Sequence, residues 1–112
     1  MAIEFDGRTI ETTATGYLAD LDDWSRELAE HMAAGENLAL TEKHWDVIEY
    51  LREEYIDNNQ TQPNTRTILK AMSDKWGERV EQRELYDLFP GDPSKQAGRL
   101  AGLPESRRKG GY

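Results

Sequence analysis

The reactive inventory of this chain is narrow. It holds two histidines, His31 and His44, twenty-two carboxylates and no cysteine. Without a thiol there is no disulfide, no thiolate zinc site, no iron–sulfur cluster and no sulfur nucleophile. Acid–base catalysis by paired carboxylates needs both groups to face one point. The pairs present, Asp22-Asp23 and Glu53-Glu54, are sequence neighbours, which a helix turns away from each other. The histidines fall on different predicted helices, so no metal site and no cofactor are expected. No glycine-rich phosphate loop is present, and no serine or threonine has an evident base partner. What remains is charge. Arg107-Arg108-Lys109 precedes Gly110-Gly111-Tyr112, a basic cluster and an aromatic ring on a glycine-rich segment. Such a segment suits an acidic pocket or a phosphate backbone, through salt-sensitive contacts. Arg99, Lys95 and Arg66 extend the basic surface, while Lys95 and Gln96 also suit capping and solvation of a short helix; the candidate partner-binding set is Lys95, Gln96, Arg99, Arg107, Arg108, Lys109 and Tyr112.

The charge is unevenly spread. The net value is -8. Residues 1–60 hold 4 basic and 15 acidic groups, residues 61–112 hold 10 basic and 7 acidic. The acidic half argues against binding of polyanions by the whole molecule, while the basic half leaves room for a local binding face. A second candidate set, Arg66, Lys70, Lys75, Arg79 and Arg83, would contact phosphates if the segment from about Thr65 to Phe89 acted as a DNA-binding helix-turn-helix. Glu78, Glu81, Glu84 and Asp87 interrupt that surface.

The elements that must position these groups follow from periodicity. A length of 112 residues suits one domain. Asp6-Gly7 between Ile3-Glu4-Phe5 and Thr9-Ile10-Glu11 predicts a hairpin, because a type I′ turn needs positive φ at both centres. Trp24, Leu28, His31 and Met32 predict a helix over about 23–34, stopped at Gly35. Thr41 caps a second helix whose stripe is Trp45, Ile48, Leu51, Arg52 and Tyr55, ending near Asn58-Asn59. Asn64 caps a third, running to about Trp76 before Gly77. A short fourth helix spans about 82–88 and stops at Pro90. Asp92-Pro93 opens a fifth, to about Ala101, which Gly102 closes. The expected fold is α+β: a small N-terminal hairpin, about five helices with a helix-turn-helix-like segment, and an extended C-terminal arm. Residues 1–104 form the domain and 105–112 a flexible basic arm. No apolar run spans a membrane and the N-terminus does not read as a secretory signal, so a cytoplasmic location is expected.

The C-terminal third also carries a pattern: Leu85-Tyr86, Leu88-Phe89-Pro90, Pro93, Lys95-Gln96-Ala97 and Ala101-Gly102-Leu103-Pro104. Upstream stand Gly16-Tyr17-Leu18, Leu40-Thr41, His44-Trp45, the Arg52 helix, Pro63, Arg66 and Lys70-Ala71. Together these resemble the DsrC/TusE sulfur-carrier family over nearly the whole chain. The resemblance implies a hairpin plus helical bundle with a mobile arm. It implies that a penultimate cysteine carries a persulfide, relayed toward tRNA 2-thiolation in TusE-like members. In DsrC members a second, upstream cysteine is implied, working with dissimilatory sulfite reductase. Here Gly98 and Gly111 occupy those two positions. For a member without either cysteine, the resemblance implies a regulatory role.

The expectations are therefore a binding or regulatory protein of sulfur metabolism, not an enzyme, unable to hold a persulfide. Its partner would be a protein of a sulfur-relay or sulfite-reductase system. The alternatives are a helix-turn-helix regulator of sulfur genes and an accessory subunit of a sulfur relay.

Overall fold

A computed structural model describes residues 2–104. Strands β1 (Ala2–Phe5) and β2 (Arg8–Glu11) form an antiparallel hairpin with Ile3 opposite Ile10. Asp6 and Gly7 take φ of 53° and 74°, the positive pair that a two-residue turn with right-handed twist demands. Two strands alone are marginal. This pair is held by Ile10, which is buried in the main core, with Ile3 and Phe5 packed against it.

Five helices follow: α1 (Arg26–Ala34), α2 (Glu42–Asp57), α3 (Thr65–Trp76), α4 (Gln82–Leu88) and α5 (Pro93–Leu100). The longest, α2, supplies Val47, Ile48 and Leu51 to the core, and α5 packs on it more extensively than any other helix does. Leu28, Ala29, Met32 and Ala33 of α1, Ile68 and Met72 of α3, Leu85 of α4, and Phe89 complete that core. Each such large aliphatic side chain withdrawn from water contributes about 1.5–3 kcal/mol. Ala97 and Ala101, both fully buried, leave little bulk between α5 and its neighbours. None of the described helices is long and apolar enough to cross a membrane.

The predicted hairpin and five helices are present, with one boundary corrected. The helix expected from Asp23 begins at Arg26. Asp20 instead caps a single 3-10 turn, Leu21–Asp23, and Ser25 caps α1 by accepting from the Leu28 amide at 3.0 Å. Trp24 lies between the two with extended backbone, so it is not the first residue of a helical stripe. The expected arm, residues 105–112 with Arg107, Arg108, Lys109, Gly111 and Tyr112, lies outside the described residues.

Candidate docking site

Helix α5 presents two different faces. Asp92 caps its start, accepting from the Ser94 and Lys95 amides at 3.1 and 3.4 Å, and Pro93 occupies the first turn, where a missing N–H costs nothing. One face, Ser94, Lys95 and Gly98, borders a shallow cleft. Tyr17, Leu51, Gln62, Pro63, Leu103 and Pro104 form the rest of its lining. Gly98 is buried, yet a Cβ built on it would meet no atom within 4 Å. A side chain there would have free space beside the cleft. Lys95 is half-buried and has no carboxylate partner among the described residues.

The other face, Gln96 and Arg99, is already engaged. The Gln96 amide group accepts from the Gly91 amide at 2.7 Å and donates to Glu36 Oε1 at 2.8 Å. Arg99 makes an ion pair with the same carboxylate oxygen. These contacts tie the loop after α1 to α5. Of the candidate partner-binding residues within the description, only Lys95 borders the cleft. Gln96 and Arg99 are turned toward Glu36.

The far end of α5 is ringed by donors. Trp24 Nε1 donates to the Leu100 carbonyl at 2.7 Å, and Arg52 Nη1 to that of Ala101 at 2.7 Å. The Arg52 guanidinium stacks over the Trp24 ring at 3.9 Å. Burial pushes the Arg52 pKa down, although a guanidinium remains charged in proteins. Spacing marked Trp24 and Arg52 as apolar-face residues. Their hydrogen bonds to backbone 76 and 49 residues away, respectively, have no sequence signal. Tyr17, Gln62 and Ser94 were likewise not singled out as site residues. Tyr17 and Pro63 stood only in the family pattern.

His44 is buried at the start of α2. Its Nδ1 accepts from the Thr41 amide at 3.0 Å, and its Nε2 lies 2.7 Å from the Leu88 carbonyl. A carbonyl only accepts, so the proton sits on Nε2. Burial lowers its pKa, partly offset by that bond to Leu88. His31 is exposed and packs on Phe5, with ring centres 5.1 Å apart.

The five cations of the second set are all exposed but do not make a surface of one sign. Arg66 and Lys70 lie one turn apart on α3. Lys75 shares its groove with Asp46, Glu49, Glu53 and Asp74. Arg79 pairs with Glu81 at 3.6 Å, and Arg83 stands beside Glu81 and Glu84 at another depression. The geometry does not favour a DNA interface.

A hairpin packed on five helices, with a cleft beside the last helix, defines a small α+β protein. Comparison with known proteins narrows that class. The family model described as DsrC like protein matches residues 4–108, and the chain belongs to that family. It is 49% identical over 104 residues to the sulfurtransferase TusE of Pectobacterium atrosepticum, covering 92% of this chain and 94% of that protein. The Yersinia pestis sulfurtransferase TusE is 47% identical over the same length. Among solved structures, Allochromatium vinosum DsrC matches with a TM-score of 0.85 at 44% identity, covering 96% of this chain and 98% of that one. The oxidized gamma-subunit of dissimilatory sulfite reductase (DsrC) from Archaeoglobus fulgidus matches with a TM-score of 0.87 at 31% identity, with the same coverage.

These relatives correct one expectation. The missing thiol alone supports the expectation that the chain is not an enzyme. Relatives this similar carry the name sulfurtransferase, so the chain sits among sulfur-transfer proteins.

Proposed function

We propose that this protein works in sulfur transfer by docking, as a regulatory or accessory member of a sulfur relay that does not itself bear the persulfide. The observation that carries this reading is Gly98. It occupies the position that the family resemblance assigns to the upstream carrier cysteine, and it borders the cleft with space for a side chain but supplies no sulfur. The second carrier position, Gly111, also lacks a thiol. A persulfide requires a thiolate that accepts sulfur, and no residue of these 112 is a cysteine.

Docking needs surface rather than a nucleophile, and the body retains it: the cleft, the Lys95 ammonium beside it, and the basic residues Arg107, Arg108 and Lys109 with Tyr112 on the segment that follows. The partner is a protein of a sulfur-relay or sulfite-reductase system, and occupancy by this chain would exclude a cysteine-bearing relative from the same place. Residues 1–104 act as the body and 105–112 as the arm in this reading.

The test is binding to purified sulfur-relay and sulfite-reductase components, measured with the full chain and with residues 105–112 removed. Saturable binding that weakens on truncation, together with competition against a cysteine-bearing relative, is the expected result. No binding to any of these components would dismiss the proposal.

A further inference from the structure

The hairpin leaves one of its two edges open. Phe5 faces Arg8 across the two-residue turn, then Glu4 faces Thr9, Ile3 faces Ile10 and Ala2 faces Glu11. Antiparallel pairs alternate between those that exchange backbone hydrogen bonds and those that do not. The pair that closes a two-residue turn is a bonded one. Phe5 with Arg8 and Ile3 with Ile10 are therefore the bonded pairs, and the backbone N–H and C=O groups of Ala2 and Glu4 point away from β2. The outer edge of β2 is covered. The Glu11 carbonyl accepts from the Ala19 amide at 3.0 Å, and Thr12 bridges to Leu18. On β1, Ala2 and Glu4 are exposed, and their outward backbone groups have no hydrogen-bond partner among the described residues. Such an edge is a template for a further strand.

The two faces of that edge differ. Side chains alternate along a strand, so Ile3 and Phe5 turn toward the core, while Ala2 and Glu4 turn outward with Thr9 and Glu11. Ile10 is buried but Ile3 is only half-buried. On the side away from Ile10, Ile3 borders a groove lined also by Met32 and Gly35 at the end of α1. The outward face carries Glu4 and Glu11 and no cation, since Arg8, opposite Phe5, belongs to the other face. The Thr9 hydroxyl donates to the Glu4 carboxylate at 2.8 Å, which holds that charge over the ladder. Ala2 is too small to screen Glu11 from a long side chain on a neighbouring strand.

We propose that β1 is a docking edge for an extended segment of a partner protein, which adds as a third, antiparallel strand with basic residues outward and apolar residues inward. The segment bonds to the backbone of Ala2 and Glu4 and sets an apolar side chain beside Ile3. Its cations meet Glu4 and, across Ala2, Glu11. A second copy of this chain fits less well. Any antiparallel register that bonds both Ala2 and Glu4 to β1 of another copy sets the two Glu4 side chains directly opposite or on the nearest diagonal, where like charges repel. The groove beside Ile3 shares no lining residue with the cleft beside Gly98, so this edge stands or falls apart from the docking reading above.

The test is a titration of the full chain with a short capped peptide of alternating lysine and valine, followed by backbone amide shifts. Shifts centred on Ala2, Ile3 and Glu4 are the expected result. Binding should weaken about threefold in Glu4→Lys. It should be lost in Glu4→Pro, which removes only an outward N–H at an edge where a sheet tolerates proline. Slow exchange of the Ile3 and Ile10 amides in Glu4→Pro shows that the hairpin is intact. Glu4→Lys leaves the backbone untouched and decides the matter should Glu4→Pro disturb the hairpin. Shifts spread over the acidic residues of α2 instead, undiminished binding by these variants, or no shift at β1 at any peptide concentration would overturn the proposal. So would a dimer of the free chain that Glu4→Pro dissolves, because the occupant would then be a second copy.

Discussion

His44 joins two elements far apart in sequence: its Nε2 hydrogen donates to the carbonyl of Leu88, 44 residues on, at 2.7 Å. Its other nitrogen accepts from the Thr41 amide, and its ring meets Phe89 edge-on with centres 5.0 Å apart. One side chain thus closes the start of α2 and the end of α4. Replacing it by alanine removes these bonds, the contact of Nδ1 with the Thr41 hydroxyl at 2.8 Å and buried ring packing. His44→Ala should cost about 2–4 kcal/mol by urea unfolding, with the largest gain in amide exchange at Thr41 and around Leu88.

The same residue sets a pH dependence. In the neutral ring Nδ1 accepts from the Thr41 N–H and lies 2.8 Å from the Thr41 hydroxyl; protonation would set a donor against that N–H and leave only the hydroxyl oxygen to accept from it. Burial holds the folded pKa below the ordinary histidine value. The unfolded chain therefore binds a proton more readily than the folded one. The stability His44 provides is complete above the ordinary value, near 6.5, and is lost as pH falls from there through the lower folded pKa. Its hydrogen-bond partners, Thr41 and Leu88, are uncharged. The nearest charges in sequence, Glu42 and Lys43 on α2 and Asp87 on α4, are exposed. Urea midpoints measured between neutral and mildly acidic pH should fall in the wild type and fall less in His44→Gln. Equal slopes would refute the assignment.

Asp92 carries a strain that its cap offsets. It sits at φ 97°, a region that disfavours any side chain, while its carboxylate caps α5. Asp92→Ala keeps the strain and loses the cap, and should cost about 1–2 kcal/mol. Asp92→Gly loses the cap but relieves the strain, and should fall between wild type and alanine. Thermal unfolding of the three proteins gives the order directly.

The two glycines of the α5 region should respond in opposite directions. At Gly98 the backbone is helical, φ is not positive and a Cβ meets nothing within 4 Å. Gly98→Ala should therefore stabilise by about 0.5–1 kcal/mol. At Gly102 the φ of 78° and the Trp24 ring, whose Cδ1 would lie 2.6 Å from an added Cβ, both oppose a side chain. Gly102→Ala should destabilise by about 2–4 kcal/mol, with a change in indole fluorescence reporting the displaced ring.

The elements were legible because their signals are local. Asp6-Gly7 specifies its turn by φ alone, Asn64 and Gly77 bracket α3, and Asp92-Pro93 with Gly102 bracket α5. The start of α1 was misplaced because Asp22 and Asp23 suit a helix N-terminus as well as Ser25 does. Only the packing of the Trp24 ring against α5 decides between them. On α2, Trp45, Ile48 and Leu51 were legible from spacing, whereas His44 and Val47 were not counted inward. A histidine is read as polar until its two partners are known, and one of those lies on α4. Gly98 was identified from the family pattern, while the open space beside it and the engagement of Gln96 and Arg99 by Glu36 depend on three segments meeting. Long-range hydrogen bonds of this kind leave no period in the sequence.

The central claim, docking without a sulfur cargo, is tested most directly by intact-mass spectrometry of the purified chain. The chain would be incubated with a persulfide donor and a sulfur-relay partner that it binds. The account predicts that the complex forms and that the mass of this chain does not change. A stable gain of sulfur on this chain, removed by dithiothreitol, would contradict it.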